Sequence, residues 1–236
     1  MCFLYVSATL TIAGLIFNQS VSPIWVYVSR INVAVIIIYN ILIVISAYLS
    51  FTSRTEKMAD MIDNGFGTKL AWQNSKGYYD NDSVQEGWPK FALNAYESCY
   101  FSYKILSSMW WQLMINNIII FIIFLIAMIA GATNLLLLLA NLSIIIHIIR
   151  KFIISWIVKN ELSLLNANYR NLFFQQPKIK TLQTKSLYYL LRYETAMVWL
   201  NSVLSFKKYK AMNHRLTIEW GHIRDDINRQ NKYITL

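Results

Sequence analysis

Charged side chains are missing from two long parts of this sequence. Residues 1–51 contain one, Arg30, and residues 105–149 contain none apart from the titratable His147. Over the whole chain only 14% of residues are charged and 56% are hydrophobic, whereas soluble domains carry about 25% charged and about 45–50% apolar residues. This deficit excludes an ordinary soluble domain and predicts a membrane protein.

Four apolar stretches are long enough, or nearly long enough, to cross a bilayer. A hydrocarbon core about 30 Å thick needs about 20 helical residues, and the stretches cover about residues 2–18, 29–51, 110–130 and 135–157. No basic segment precedes the first, so we interpret it as a retained span rather than a cleaved signal peptide. The predicted fold class is an all-α, polytopic membrane protein in which four transmembrane helices are extended by cytosolic helices.

The sequence also lacks the residues that many membrane enzymes and transporters require. The four apolar stretches contain no Asp or Glu, which argues against aspartyl intramembrane proteolysis and proton-coupled transport. Metalloprotease, hydrolase, phosphate-loop and dinucleotide motifs are absent, and two cysteines do not make a disulfide framework. The spacing of His214, Glu219 and His222 does not suit a metal site. We therefore predict that the protein is not an enzyme and uses no cofactor.

Positive charge is distributed very unevenly, and this predicts the topology. Of 22 Lys and Arg residues, six lie in residues 52–109, fifteen lie from Arg150 onward, and Arg30 is the remaining one. Cationic flanks stay in the cytoplasm, so we predict a multi-pass membrane protein with both termini cytoplasmic. The predicted domains are a transmembrane hairpin (1–51), a cytosolic helix-loop-helix insertion (52–109), a second transmembrane hairpin (110–157) and a basic cytosolic helical domain (158–236).

The basic C-terminal part has two interpretations. From Arg150 onward, fifteen cations and five carboxylates give a net charge of +10. This charge suits anchoring against anionic lipid. It also suits a phosphate-rich partner such as RNA or a signalling nucleotide.

Polar residues form stripes on two of the predicted spans. Ser143, His147 and Lys151 are spaced four apart, so they share one helix face, and Arg150 lies beside them. The two cations can reach the headgroups, but His147 lies about one turn deeper. It is either a neutral imidazole bonded to a neighbouring helix or part of a water-filled space formed by several chains. On the second span Asn32, Tyr39 and Ser46 recur every seven residues, a spacing that keeps one face toward a partner helix.

The cytosolic parts are predicted to be helical. In the insertion, a helix continuing from the second span stops near Gly65 and Gly67, a turn-rich tract follows, and a new helix starts at Phe91. The fourth span continues to about Phe174, before Pro177. Residues 181–210 are predicted as one further helix, which buries its apolar face on other cytosolic helices or lies on the membrane surface. That predicted face contains Leu187, Leu190, Leu191, Met197, Leu200 and Leu204.

Two short motifs resemble a known family. They are MIDNGFGTKLAWQN, with Asp63, Leu70, Trp72 and Asn74, and HRLTIEWGHIRDDI, with His214, Arg215, Glu219 and Trp220. With the four-span layout, these motifs resemble the SMODS-associated four-transmembrane effectors of bacterial antiphage signalling. Four-span membrane accessory proteins of CRISPR systems are similar in layout.

The resemblance implies a membrane effector of antiviral defence. Such a protein oligomerises on a cytosolic signal and permeabilises or depolarises the inner membrane. Its implied partners are membrane lipid, further copies of itself, and a cytosolic signalling nucleotide or a nucleic-acid-bearing defence protein. The competing interpretation is a non-conducting scaffold or toxin-immunity protein whose cytosolic helices dock a partner.

Overall fold

The computed structural model describes residues 23–72, 79, 81, 83–129, 135–200 and 206–230, and helices joined by short loops make up this part of the chain. It forms five α-helices and no strand, which confirms the all-α prediction. The helices are α1 (Pro23–Phe66), α2 (Trp88–Ile129), α3 (Leu135–Phe174), α4 (Ile179–Leu200) and α5 (Phe206–Gln230).

The described residues group into two compact units. Among the described residues, the first combines those up to Tyr48 with those between Trp110 and Ile154, and the second combines those between Leu49 and Met109 with those from Ser155 onward. Helices α1, α2 and α3 contribute residues to both units, whereas α4 and α5 belong to the second alone.

The first unit exposes many apolar side chains and buries two asparagines. Asn32 of α1 and Asn117 of α2 are 1% and 5% exposed, whereas Val44 is 68% and Ile118 47% exposed. By length and composition, α1 and α2 could each cross a membrane. The structure thus shows two helices fit to span a bilayer; the predicted first span lies outside the described residues.

The second unit is built around the first half of α2. Every side chain from Phe91 to Tyr100 is buried, because the other helices of this unit surround that segment. The ring of Tyr96 stacks on Tyr169 of α3, with centroids 5.4 Å apart, and meets Trp220 of α5 edge-on at 5.1 Å. The largest fully buried side chains of this core are aromatic rings, which bury more apolar area per residue than smaller side chains.

Three predicted details of the helices are corrected by the structure. Helix α2 begins at Trp88 rather than Phe91, because proline is tolerated in the first turn of a helix and Pro89 sits there. The predicted helix 181–210 is found as α4 and α5, which both pack into the second unit. On α4, Leu190 is buried but Leu187 and Leu191 are exposed, so the predicted apolar face was partly wrong. Leu204 lies outside the described residues.

The predicted apolar face of α4 was partly wrong because α4 packs through a different face of the helix. The buried positions of α4 follow a spacing of three and four, which places Leu187 and Leu191 on another side of the helix. These buried positions are Leu182, Ser186, Leu190, Tyr193, Ala196, Met197 and Leu200.

Candidate functional site

The loop that follows α1 is organised by one carboxylate. Helix α1 ends at Phe66, and Gly67 takes a positive φ of 68° while its amide donates to the carbonyl of Asp63 at 2.8 Å. The Thr68 hydroxyl donates to Oδ1 of Asp63 at 2.6 Å. The amide of Leu70 donates to both carboxylate oxygens, at 2.7 and 2.8 Å, and the amide of Ala71 to Oδ2 at 2.8 Å. The chain therefore wraps around the Asp63 side chain.

These contacts also determine the charge of Asp63. Burial by itself would raise the pKa of this carboxyl, which is only 5% exposed. The hydrogen bonds from Ala71, Thr68 and Leu70 outweigh burial and hold the pKa below its usual range. Asp63 is consequently ionised at neutral pH, and its full accepting capacity is available to the loop.

The loop presents two large apolar side chains to solvent. Leu70 is 63% exposed and Trp72 is 90% exposed, although Asp63 holds the backbone amides of Leu70 and Ala71. Tryptophan is among the residue types most enriched at interaction hot spots. The predicted motif residues thus divide into Asp63, which orders the loop, and Leu70 with Trp72, which it displays. Asn74 lies outside the described residues.

The base of the loop is fixed to the start of α2. The Gly87 amide donates to the Gly65 carbonyl at 2.7 Å. The Phe66 ring lies 5.2 Å from Trp88 and 5.3 Å from Phe91, centroid to centroid. This contact orients the loop relative to the core of the second unit.

The second motif attaches α5 to α2. The Tyr100 hydroxyl donates to Oε2 of Glu219 at 2.6 Å, and Lys104 and Arg215 lie 3.2 and 3.3 Å from the same carboxylate. The hydrogen bond from Tyr100 lowers the pKa of Glu219, further helped by Lys104. Trp220 is 2% exposed and points its indole nitrogen at Oδ1 of Asn81, 3.4 Å away. Glu219 and Trp220 therefore serve the architecture, while His214 is exposed.

Sequence reasoning missed a buried amide network beside this attachment. The Asn81 amide donates to Oδ1 of Asn94 and to Oε2 of Glu97, both at 2.8 Å. The Asn94 amide in turn donates to Oδ1 of Asn64 at 2.8 Å. The one available signal was Asn94, a polar residue inside the apolar run of α2. Its function is to join α1, the turn tract and α2 through satisfied hydrogen bonds.

The structure describes the side chains of some, but not all, residues of the two predicted polar stripes. Asn32 is buried, and Tyr39 and Ser46 are half-buried. Arg150 is exposed and Lys151 half-buried on α3. The side chains of Ser143 and His147 lie outside the described part. The role of these residues in lining a pore or packing helices stays a prediction.

A cleft of about 590 Å³ opens beside the starts of α2 and α4. Its charged lining consists of one acid, Glu86, and one base, Lys178, with Trp88 and Ile179 as apolar walls. A polyphosphate requires a surplus of positive charge, which this lining does not supply. Among the described residues no group of three or more His, Cys, Asp or Glu is placed to hold a metal ion.

No protein-family model matches the chain, and neither a curated protein nor a solved structure matches it.

Proposed function

We propose that this protein is a four-span membrane effector of bacterial antiviral defence, with both termini in the cytoplasm. It associates into oligomers when a cytosolic partner binds its second unit, and the assembly permeabilises or depolarises the inner membrane. The proposal is supported by the side-chain distribution of the first unit, by the loop held by Asp63, and by the resemblance carried by the two motifs.

The side-chain distribution of the first unit supports the membrane part of the proposal. Hydrocarbon favours apolar side chains outside and polar ones between helices, since an unsatisfied polar group there costs several kcal/mol. Asn32 and Asn117 are buried, while Val44, Ile37 and Ile118 face outward. The exposed Asn40 donates its amide to the Ile36 carbonyl of its own helix at 2.8 Å. This is the arrangement that a polar side chain facing lipid requires.

The loop held by Asp63 is the proposed receiving surface. A partner protein that covers Leu70 and Trp72 removes two large apolar side chains from water without having to order the loop first. We favour a macromolecular partner over a free nucleotide because the cleft beside α2 and α4 has no surplus of positive charge. A nucleic-acid-bearing defence protein is the class of partner that the resemblance implies.

The leak is assigned to the stripe on α3. Subunits associate through the polar faces of their spans, and Ser143, His147 and Lys151 line the water-filled space between them. Replacing Ser143 and His147 together by leucine makes that face apolar and should abolish ion leakage while preserving expression. Unchanged leakage would remove the stripe from the mechanism.

The receiving surface is tested by membrane potential in cells. The gene is induced with its genomic neighbours, and depolarisation is followed with a voltage-sensitive dye. Trp72→Ala should reduce partner binding about 30-fold, as expected for an interface hot spot, and should suppress depolarisation. Tyr188→Ala, which truncates another exposed aromatic residue of the second unit, is the matched control and should depolarise like the unmodified protein. Equal depolarisation by both variants would exclude the loop as the receiving surface.

A non-conducting scaffold or immunity protein is the second candidate. It is favoured by the loop itself, because a docking surface on an ordered unit needs no pore. The same dye measurement separates the two: protection of cells against a toxin without any depolarisation supports the scaffold. Depolarisation on induction supports the effector.

A further inference from the structure

Large apolar side chains are exposed where α4 ends and where α5 begins. Val198 and Trp199 are 61% and 60% exposed, and Phe206 is 77% exposed. Lys207 follows Phe206 directly and Lys210 lies about one helical turn further on, and both are exposed. We call these five residues the anchor patch. A rim of lysines beside exposed aromatic rings is unusual for a surface that faces only water.

The packing of α4 against α3 shows which residues of α3 lie at the same level as Val198. Arg192 forms an ion pair with Glu161 at 2.7 Å, and the Tyr169 hydroxyl donates to the Ser186 carbonyl at 3.3 Å. The two helices are therefore antiparallel. Val198 follows Arg192 by six residues and Ser155 precedes Glu161 by six, so Val198 is level with Ser155. The predicted fourth span ends at about residue 157, which is within one helical turn of that level.

The packing of α5 against α2 shows which residue of α2 lies at the same level as Lys210. The Tyr100 hydroxyl contacts Glu219, and Tyr96 contacts Trp220, so α5 runs antiparallel to α2. Lys210 precedes Glu219 by nine residues and Met109 follows Tyr100 by nine, so Lys210 is level with Met109. The predicted third span begins at residue 110. Both halves of the anchor patch thus lie level with the cytoplasmic ends of predicted spans.

The chain segment that carries the anchor patch is positively charged. Between Glu194 and Glu219 the sequence contains no carboxylate, but it contains three lysines and Arg215. Arg215 is paired with Glu219, and the exposed Lys207 and Lys210 contribute a local positive field. Anionic headgroups attract juxtamembrane lysines, and aromatic rings favour the same depth.

We propose that the anchor patch seats on the anionic inner leaflet, with Trp199 and Phe206 at the acyl boundary and Lys207 and Lys210 among the headgroups. This inference rests on the membrane association in the proposed function but not on oligomerisation or a pore. Lipid is favoured over a protein partner because apolar side chains and cations occur together at the level of the span ends. It is favoured over nucleic acid because rings and aliphatic chains at that level need an apolar phase.

Spin labelling of the full chain in nanodiscs tests the proposal. A nitroxide is attached at Val198→Cys in a Cys2→Ser background; Cys99 stays in place because it is buried and burial raises the pKa of its thiol. Accessibility to oxygen and to a water-soluble nickel complex is compared in phosphatidylglycerol and phosphatidylcholine nanodiscs. Val44→Cys reports on the apolar part of α1, and Leu187→Cys is an exposed position on α4 eleven residues before the patch.

The expected result is a lipid-exposed label at Val198 in phosphatidylglycerol, with Leu187 exposed to water in both lipids. Adding Lys207→Glu and Lys210→Glu should shift the equilibrium between the seated and the water-exposed form by more than about 30-fold toward the latter. Loss of each lysine near an anionic surface contributes about fivefold, and the introduced carboxylates are repelled by the same headgroups. Lys180→Glu with Lys185→Glu, the same charge change on exposed lysines at the start of α4, should have no effect.

Two outcomes overturn the proposal. A water-exposed label at Val198 in both lipids, with a lipid-exposed label at Val44, rejects the anchor patch but keeps the span. A label at Val198 that is shielded from both oxygen and nickel in either lipid indicates a protein contact instead. A water-exposed label at Val44 rejects the membrane part of the proposed function itself.

Discussion

Gly65 lies so close to Phe91 that a Cβ atom added to it would stand 2.9 Å from the Phe91 Cβ and 3.1 Å from the Phe91 Cα. The neighbouring atoms on α2 include backbone, which cannot yield as the end of a long side chain can. The close approach of α1 and α2 at the base of the loop is therefore possible because Gly65 has no side chain.

Gly65→Ala should destabilise the protein, because overpacking costs about 1–3 kcal/mol and exceeds the gain in helix propensity of at most about 1 kcal/mol. Gly221→Ala is the control, since an added Cβ there meets nothing within 4 Å inside α5. That variant should gain about 0.5–1 kcal/mol. Thermal unfolding in detergent should show opposite shifts, each of about 2–4 °C per kcal/mol. Shifts of the same sign would contradict the close packing.

Glu219→Gln should weaken the attachment of α5 to α2. A hydrogen bond to a charged group contributes about 1.5–3 kcal/mol, but the Glu219 side chain is 34% exposed, so solvent screens it and we expect about 1 kcal/mol. Asp226→Asn is the matched control on the same helix, because its ion pair with Arg229 is long, at 3.9 Å, and well exposed. Thermal unfolding should separate the two variants, and equal stabilities would show that the Glu219 contacts contribute nothing.

The stability of the protein should fall in acid in part through Glu219. The contacts of this carboxylate with Tyr100 and Lys104 lower its pKa below the ordinary glutamate value of about 4.3. Its stabilising effect is therefore present above pH of about 4.3 and is lost as the pH falls through the lowered folded-state pKa. Unfolding measured across that range should show a smaller loss in acid for Glu219→Gln than for the unmodified protein. Parallel curves would refute the linkage.

Asp63→Ala should release the loop without unfolding the second unit. The amides of Leu70 and Ala71 lose their acceptor, so their hydrogen exchange should accelerate about tenfold or more, while α2 stays protected. Thr68→Val removes only the hydroxyl bond and should have a smaller effect. Thr55→Val is the control, because the Thr55 hydroxyl donates to its own helix at Phe51. Unchanged exchange at Leu70 in Asp63→Ala would mean that other contacts order the loop.

The positions of the helices could largely be predicted from the sequence, because nearby glycine and proline residues determine where a helix ends. The predicted stop near Gly65 and Gly67 agrees with the end of α1 at Phe66, and α3 ends at Phe174, shortly before Pro177. The starting point of α2 was missed because Pro89 was taken as a break, although a proline in the first turn needs no backbone donor.

The hydrogen-bond and packing partners of the polar and aromatic motif residues could not be predicted from the sequence in the same way. Asp63 was selected from a motif, but its role depends on amides seven and eight residues later that the chain must fold back to present. Asn81 meets Asn94 and Glu97 only because the turn tract packs on α2. Glu219 and Trp220 were selected as a functional motif, and the fold gives them contacts with Tyr100 and Tyr96 instead.

The sequence alone determined that the chain is helical and that two of its described helices are apolar enough for a membrane, because composition over about 20 residues decides both properties. Only the tertiary structure decided which polar groups are buried together and which large side chains stay exposed. Those outcomes depend on how distant segments pack, and local composition does not encode the pairing of Tyr100 with Glu219 or the exposure of Trp72 and Trp199.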